Sequence, residues 1–197
     1  MLARATEVFW AKGFEGSSMN DLIAAMGIGS PSIYAAFGSK EALFREALER
    51  YLAIEGADIW SAVRGEETAY GAVEAFLMTT AHAFSRADRP SGCLVTLAGL
   101  HPNSMNEGWR AELVAMRERN TQDLARRIKG GIERGEVAPD ADPVLIARFF
   151  VTVQQGMSIQ ARDGATRAML EDIARSALTA WPALAGAKRA APVSKDS

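Results

Sequence analysis

Apolar residues recur every three or four positions along almost the whole chain, and no stretch alternates for long with a two-residue period. That pattern belongs to amphipathic helices rather than strands. Glycine and proline interrupt it at Gly13, Gly27 to Pro31, Gly38, Pro90 to Gly92, Pro102, Gly135 to Pro143 and Gly164. The interruptions divide the chain into about nine helices. They are expected near 1–12, 18–26, 30–37, 40–64, 68–87, 92–100, 105–135, 142–162 and 165–184. The fold class is therefore all-α. The terminal AGAKRAAPVSKDS, residues 185–197, has almost no large apolar side chain and reads as a disordered tail.

Residues 1–48 predict a compact module of short helices. Leu2, Ala5 and Phe9 share one face, and Phe14 closes over it after Gly13. Ser18 is placed to cap the second helix, with Asp21 reaching back to it as a capping box. Gly27 is suited to the left-handed conformation that ends a helix, and Ile28 plugs the angle that follows. Ser30 before Pro31 reads as an N-cap with proline at the first helical position. In the short third helix, SPSIYAAF, Ile33 and Phe37 face inward and Ser32, Tyr34, Ala35 and Ala36 look outward. Gly38 ends it and Ser39 caps a long fourth helix. Two helices about a glycine turn make a helix-turn-helix, whose second helix enters the DNA major groove. A small bundle that binds nothing has the same spacing.

Composition narrows the function classes. The chain has 197 residues, 48% hydrophobic and 23% charged, as in ordinary globular proteins. No run approaches the ~20 apolar residues that span a bilayer, so no membrane partner is expected. Arg4 and Glu7 fall where a signal peptide keeps an uncharged core, which points to a cytoplasmic protein. Cys93 is the single cysteine, excluding an intramolecular disulfide and fitting a reducing compartment. It reads either as apolar packing or as a redox or electrophile sensor. Two histidines far from that cysteine in sequence make no metal site, no cofactor is called for, and no acid-base or nucleophile cluster marks an enzyme. The net charge of −2 carries no general sign of nucleic-acid binding.

The wording of residues Ala5 to Leu48 adds to this. The run F-x-x-K-G-F-E-G-S-S-M-x-D-L (Phe9 to Leu22), followed by G-I-G-S-P-S-I-Y-A-A-F-G-S-K-E-A-L (Gly27 to Leu43), closely resembles the DNA-binding domain of the TetR family. The resemblance implies a homodimeric regulator, most simply a repressor, that binds double-stranded operator DNA and is released by a small-molecule effector. By the same resemblance Ser30, Pro31, Ser32 and Ala35 approach base edges, while Ser18, Tyr34 and Lys40 contact phosphates. Two departures stand out. Many relatives carry a lysine after the turn and histidines before the phenylalanine, where this sequence has Ser30, Ala35 and Ala36; and the basic arm usual before the first helix is not seen. Residues 1–50 hold five cations (Arg4, Lys12, Lys40, Arg45, Arg50) against six anions (Glu7, Glu15, Asp21, Glu41, Glu46, Glu49). The alternative is a ligand-binding helical dimer that has lost its DNA contact.

Residues 49–184 fit the family's ligand-binding and dimerisation domain. Phe76, Thr80 and Phe84 in one helix, Thr96, then Trp109, Met116 and Asn120 in the long seventh helix, and Phe150 make a candidate pocket for an apolar or amphipathic effector. Asn120 sits within an apolar stripe, where its amide must find a partner. Phe76, Phe84, Met116 and Phe150 fit plain core equally, and Thr96 and Asn120 fit backbone bonding. His82 reads as a boundary residue, and His101 before Pro102 as a turn cap. Phe150, Val153 and Met157, with Leu170, Ile173 and Leu178, are expected to meet a second copy as a four-helix bundle, small Gly156 and Ala177 allowing close approach. The other reading of those stripes is closure of the monomer core.

Overall fold

Side-chain caps set where the helices begin. Ser18, Ser39, Thr68 and Thr166 each accept the backbone N–H three residues on, and Asp142 accepts those of Val144 and Leu145. These are donors that a helix start otherwise leaves without partners. The computed structural model describes residues 1–98 and 107–186, and these contain helices and no strand. In chain order they are α1 (Leu2–Gly16), α2 (Met19–Met26), α3 (Ser30–Phe37), α4 (Lys40–Gly65), α5 (Ala69–Phe84), α6 (Leu94–Ala98), α7 (Glu107–Glu133), α8 (Pro143–Arg162), α9 (Arg167–Leu178) and α10 (Trp181–Leu184).

Local differences from the expected elements have physical causes. The helix expected over 165–184 is divided into α9 and α10. Pro182 has no N–H for the helical ladder, and its ring would collide with the carbonyl of Leu178 four residues back. Gly29, not Ser30, is the N-cap of α3, and no side chain caps it. Ala185, assigned to the tail by composition, is buried, and its carbonyl accepts from the N–H of Ala138 at 2.9 Å. Residues 187–197, His101 and Pro102 lie outside the described residues, as does the end of the helix expected at 92–100.

Packing joins the front module to the rest through one continuous core. Phe44 of α4 touches Phe9 (5.0 Å between centroids) and Phe14 (5.2 Å) on one side and Trp109 of α7 (5.5 Å) on the other. Behind the front module, α5 packs on α4, α7, α8 and α9, burying Phe76, Leu77, Thr80 and Phe84.

The end of α1 shows how the two halves are fastened. Gly13 takes a left-handed conformation, φ 72°, inside the α1 span. That break removes helical partners from the preceding carbonyls, which must be satisfied otherwise. The Ser17 hydroxyl donates to the carbonyl of Gly13 at 2.6 Å, and the Arg162 guanidinium of α8 donates to those of Trp10 and Ala11, the latter at 2.8 Å. One turn earlier on α8, Ser158 Oγ accepts the N–H of Cys93 at 2.7 Å, and the Trp10 indole donates to the Gly92 carbonyl at 3.0 Å. Helix α1, the 85–93 connection and α8 thus form one polar joint, buried at Trp10 and Ser158 and opening to the surface at Arg162.

Gly92 is the tight point of this joint. Its φ is +79°, and a Cβ there would lie 2.6 Å from the Ser158 carbonyl oxygen. Gly92→Ala should therefore cost about 2 kcal/mol or more, from left-handed strain and a backbone collision. Gly56 lies inside α4 where a Cβ meets nothing within 4 Å. Gly56→Ala should instead stabilise by about 0.5–1 kcal/mol through helix propensity. Urea unfolding of the two variants at one protein concentration checks both signs.

Candidate nucleic-acid interface and ligand core

The turn between α2 and α3 is built from local chemistry. Ser18 and Asp21 form the complete capping box: Asp21 N–H donates to Ser18 Oγ at 3.1 Å, and Ser18 N–H to the Asp21 carboxylate at 2.9 Å. The Lys12 ammonium, 2.5 Å from Asp21, together with the Ser18 donors, holds that carboxyl well below the usual carboxylate range. Gly27 ends α2 in the left-handed conformation, φ 71°. Helix α3 is then anchored by Ile33, its one fully buried side chain, with Phe37 half-buried.

The structure leaves Pro31, Ser32, Tyr34, Ala35 and Ala36 exposed on α3, with Ser30 half-buried at its start. Because Gly29 does the capping, the Ser30 hydroxyl is not spent on the helix end. Ser18 is exposed, but its hydroxyl donates to the Asp21 carboxylate at 2.7 Å. It would have to release that bond before donating to a phosphate. Lys40, at the start of α4, rests over the Phe14 ring at 4.4 Å.

Two of the five cations of the front module are paired with carboxylates. Lys12 is held by Asp21, and Arg45 pairs with Glu112 at 3.2 Å while stacking over Trp109 at 4.7 Å. The electrostatic surface near α3 is correspondingly modest.

In the rear domain the eight pocket candidates are spread over α5, α6, α7 and α8. Phe76, Thr80 and Phe84 lie along one buried stripe of α5, Phe76 against Trp60 and the Thr80 hydroxyl without a hydrogen-bond partner. Trp109 sits at the joint of the two modules, against Phe44. Phe150 packs against Trp181, 6.1 Å between centroids. Met116 and Thr96 are buried, whereas Asn120 is half-buried and the neighbouring Thr121 takes the interior position. Two open grooves among the described residues are lined by other side chains. A groove of about 230 Å³ lies between α7 and α8, and a cleft of about 240 Å³ lies between α1, α6 and Arg162.

The interface candidates divide by their burial in the protomer. Phe150, Met157, Leu170 and Leu178 are buried inside the protomer, because α5 already packs against α8 and α9. Val153 and Ile173 remain half-buried at the surface. The open apolar face of the pair is Leu145, Phe149, Val153, Ile159, Met169 and Ile173. Gly156 lies among them, with nothing within 4 Å of the position a Cβ would take.

Cys93 is buried beside Tyr51, whose hydroxyl is pushed well up from its ordinary value by burial and by the neighbouring thiol. His82 is exposed. Sequence reasoning passed over Trp10, Ser158 and Arg162, although Trp10 and Arg162 were visible as a polar-tipped aromatic and a cation at the ends of apolar stripes.

Comparison with known proteins places this geometry. Residues 1–47 match the model of bacterial regulatory proteins of the tetR family, and residues 70–178 match a tetracyclin repressor-like C-terminal domain. The chain is 34% identical over 187 residues to the HTH-type transcriptional repressor ComR of Escherichia coli K12, covering 93% of this chain and 88% of that protein. It is 28% identical over 169 residues to the repressor BdcR of the same organism, covering 83% of this chain and 78% of BdcR. A cysteine-substituted form of the TetR family regulator CifR, solved with a 26-base-pair double-stranded operator DNA, superposes with a TM-score of 0.88 at 41% identity, covering 92% of this chain and 95% of that one. Motif, fold and full-length similarity agree: the chain belongs to the TetR family of bacterial transcriptional regulators.

Proposed function

We propose that the protein acts in the cytoplasm as a homodimeric repressor that reads a palindromic operator through α3 and is released by a small effector. The observation that carries this reading is the outward row of α3. A two-turn helix secured by Ile33 leaves Pro31, Ser32, Tyr34 and Ala35 exposed, in a chain similar to a regulator solved on its operator. Serine hydroxyls bond several bases, and an alanine methyl suits the thymine methyl. Release requires an effector that binds the DNA-incompetent arrangement of the two reading heads better than the competent one. Among the described residues no helix is long and apolar enough to cross a membrane. A second reading, a ligand-binding dimer without DNA contact, is favoured by the paired state of Lys12 and Arg45. A gel shift with the DNA flanking the gene separates the two.

Two heads, each offering Lys40 and little other cation, should give a shallow dependence of log K on log salt, with a slope of about 2 to 4. Lys40→Ala should weaken all sequences alike, whereas Ser32→Ala should change which operator is preferred. A salt titration of operator binding by wild type and both variants measures this. A steep wild-type slope, unchanged in Lys40→Ala, would show that the phosphate contacts lie elsewhere.

Dimerisation is assigned to the open face of α8 and α9. Phe149→Glu, at a side chain 38% exposed, should leave a folded monomer of unchanged helicity. Phe150→Glu, one residue on and fully buried, should instead unfold the domain, since a buried unpaired charge costs several kcal/mol. Sedimentation velocity with circular dichroism distinguishes the outcomes, and a stable Phe149→Glu dimer would sink the assignment.

A further inference from the structure

Arg117 of α7 is half-buried, and its guanidinium has no carboxylate within ion-pair reach among the described residues. Its hydrogen-bond partner is the carbonyl of Val95 in α6, at a long 3.3 Å. Burial pushes the guanidinium down from its ordinary value, with the nearby Cys93 thiol acting in the opposite sense. The adjacent carboxylate offers no relief, because Glu118 is engaged by Arg148 of α8 at 3.2 Å and by Gln122 at 2.8 Å. A partly desolvated charge without a counter-charge is unfavourable and attracts an anion.

Arg117 opens into the groove of about 230 Å³ between α7 and α8. Val114 and Val151 give it apolar walls, and Thr121, Thr152 and Gln155 supply polar groups. The Arg148–Glu118 ion pair, internally neutralised, completes the lining and leaves Arg117 as the one net charge among these residues. The Thr121 hydroxyl reaches only the carbonyl of Arg117 at 3.4 Å, which leaves it weakly committed. Pockets for drug-sized ligands run about 300–1,000 Å³, so the space suits something smaller. A single uncompensated guanidinium balances one negative charge, and the valines favour an apolar tail over a fully hydrated oxyanion.

We infer that the α7–α8 groove binds a small monocarboxylate whose head pairs with Arg117 and whose short apolar tail lies between Val114 and Val151. The regulatory side of this inference rests on the repressor reading above. A carboxylate drawing the guanidinium away from Val95 removes a tether from α6, which packs against α1 and α4. The signal then enters the DNA-binding module at two of its helices.

The test is calorimetric titration of the full chain with hexanoate and benzoate, against hexanol, hexylamine and inorganic phosphate at constant ionic strength. Operator affinity is followed in parallel by fluorescence anisotropy. Hexanoate and benzoate should bind at least about tenfold tighter than hexanol, the scale expected of a charge-assisted pair. Arg117→Gln should bring hexanoate to the level of hexanol and, because it also gives up the bond to Val95, should itself lower unliganded operator affinity. Val114→Trp fills the groove from its exposed rim while keeping Arg117, and should abolish binding; it carries the test if Arg117→Gln misfolds. Equal affinity for hexanol and hexanoate, tighter binding of phosphate, or hexanoate binding that survives the variants would overturn the site. Carboxylate binding without operator release would support the groove and count against its regulatory coupling. Release by uncharged effectors, indifferent to Arg117, would overturn the groove and leave the repressor reading standing.

Discussion

The architecture depends on how the carbonyls at the broken end of α1 are satisfied. Gly13 turns the chain out of the helix so that Phe14 can reach Phe9 and Phe44, and the turn strips helical partners from the carbonyls before it. A carbonyl that loses its helical partner must find another donor, in protein or in water. Here the donor comes from Arg162, at the far end of α8 and 151 residues from Ala11. The same α8 turn holds Cys93 through Ser158, and Gly92 holds Trp10. A local requirement of the DNA-binding module is thus met by the helix that carries the proposed dimer face. For a regulator that reads two half-sites, the position of each head relative to the dimer axis is what must be controlled.

The front module is economical in charge. Two of its five cations are absorbed by packing: Lys12 completes the network around the α2 cap, and Arg45 covers Trp109 while pairing with Glu112. Exposed pairs of this kind are worth little individually. They do remove cations that would otherwise neutralise phosphates. What α3 retains is a row of small and neutral side chains, so affinity under the proposed reading rests more on fit and on the spacing of two heads than on electrostatic attraction.

Legibility in the sequence followed the range of the interaction. The capping box at Ser18 and Asp21, the left-handed Gly27 and the caps at Ser39 and Asp142 are decided within a few residues. So is the period that placed the helices. The break before α10 is equally local, at Pro182, but the apolar period runs on through it and the helix expected over 165–184 missed it. The candidate sites were harder because apolar periodicity gives a face but not its neighbour. On α8 and α9 two apolar stripes lie side by side. The richer one, with Phe150, Met157 and Leu170, is claimed by α5 of the same protomer, leaving the sparser Leu145, Phe149 and Met169 outside. Asn120 and Thr121 present the same ambiguity one residue apart, and only packing decides that threonine goes in. The contacts from Arg162 to α1 and from Trp10 to Gly92 span 82 to 152 residues, and no local pattern encodes them.

The joint also changes how a ligand signal can travel. Helix α4, being long and shared by both modules, is the obvious lever from the sequence. In the structure it is one of three connections. The second is the aromatic column from Phe14 through Phe44 to Trp109, which ties α7 directly to the front core. The third is the polar joint of Trp10, Gly92, Ser158 and Arg162, which ties α8 and the segment entering α6 to α1. Close packing makes such contacts bistable rather than compliant, and the backbones at Gly92 and Ser158 approach closely enough that only a glycine fits there. A displacement of α6 reaches α1 through this joint, and α1 carries α2 and α3 with it through the shared core around Phe9 and Leu22. A signal reaching α6 from the α7–α8 side therefore has a route to the reading helix that does not require α4 to bend.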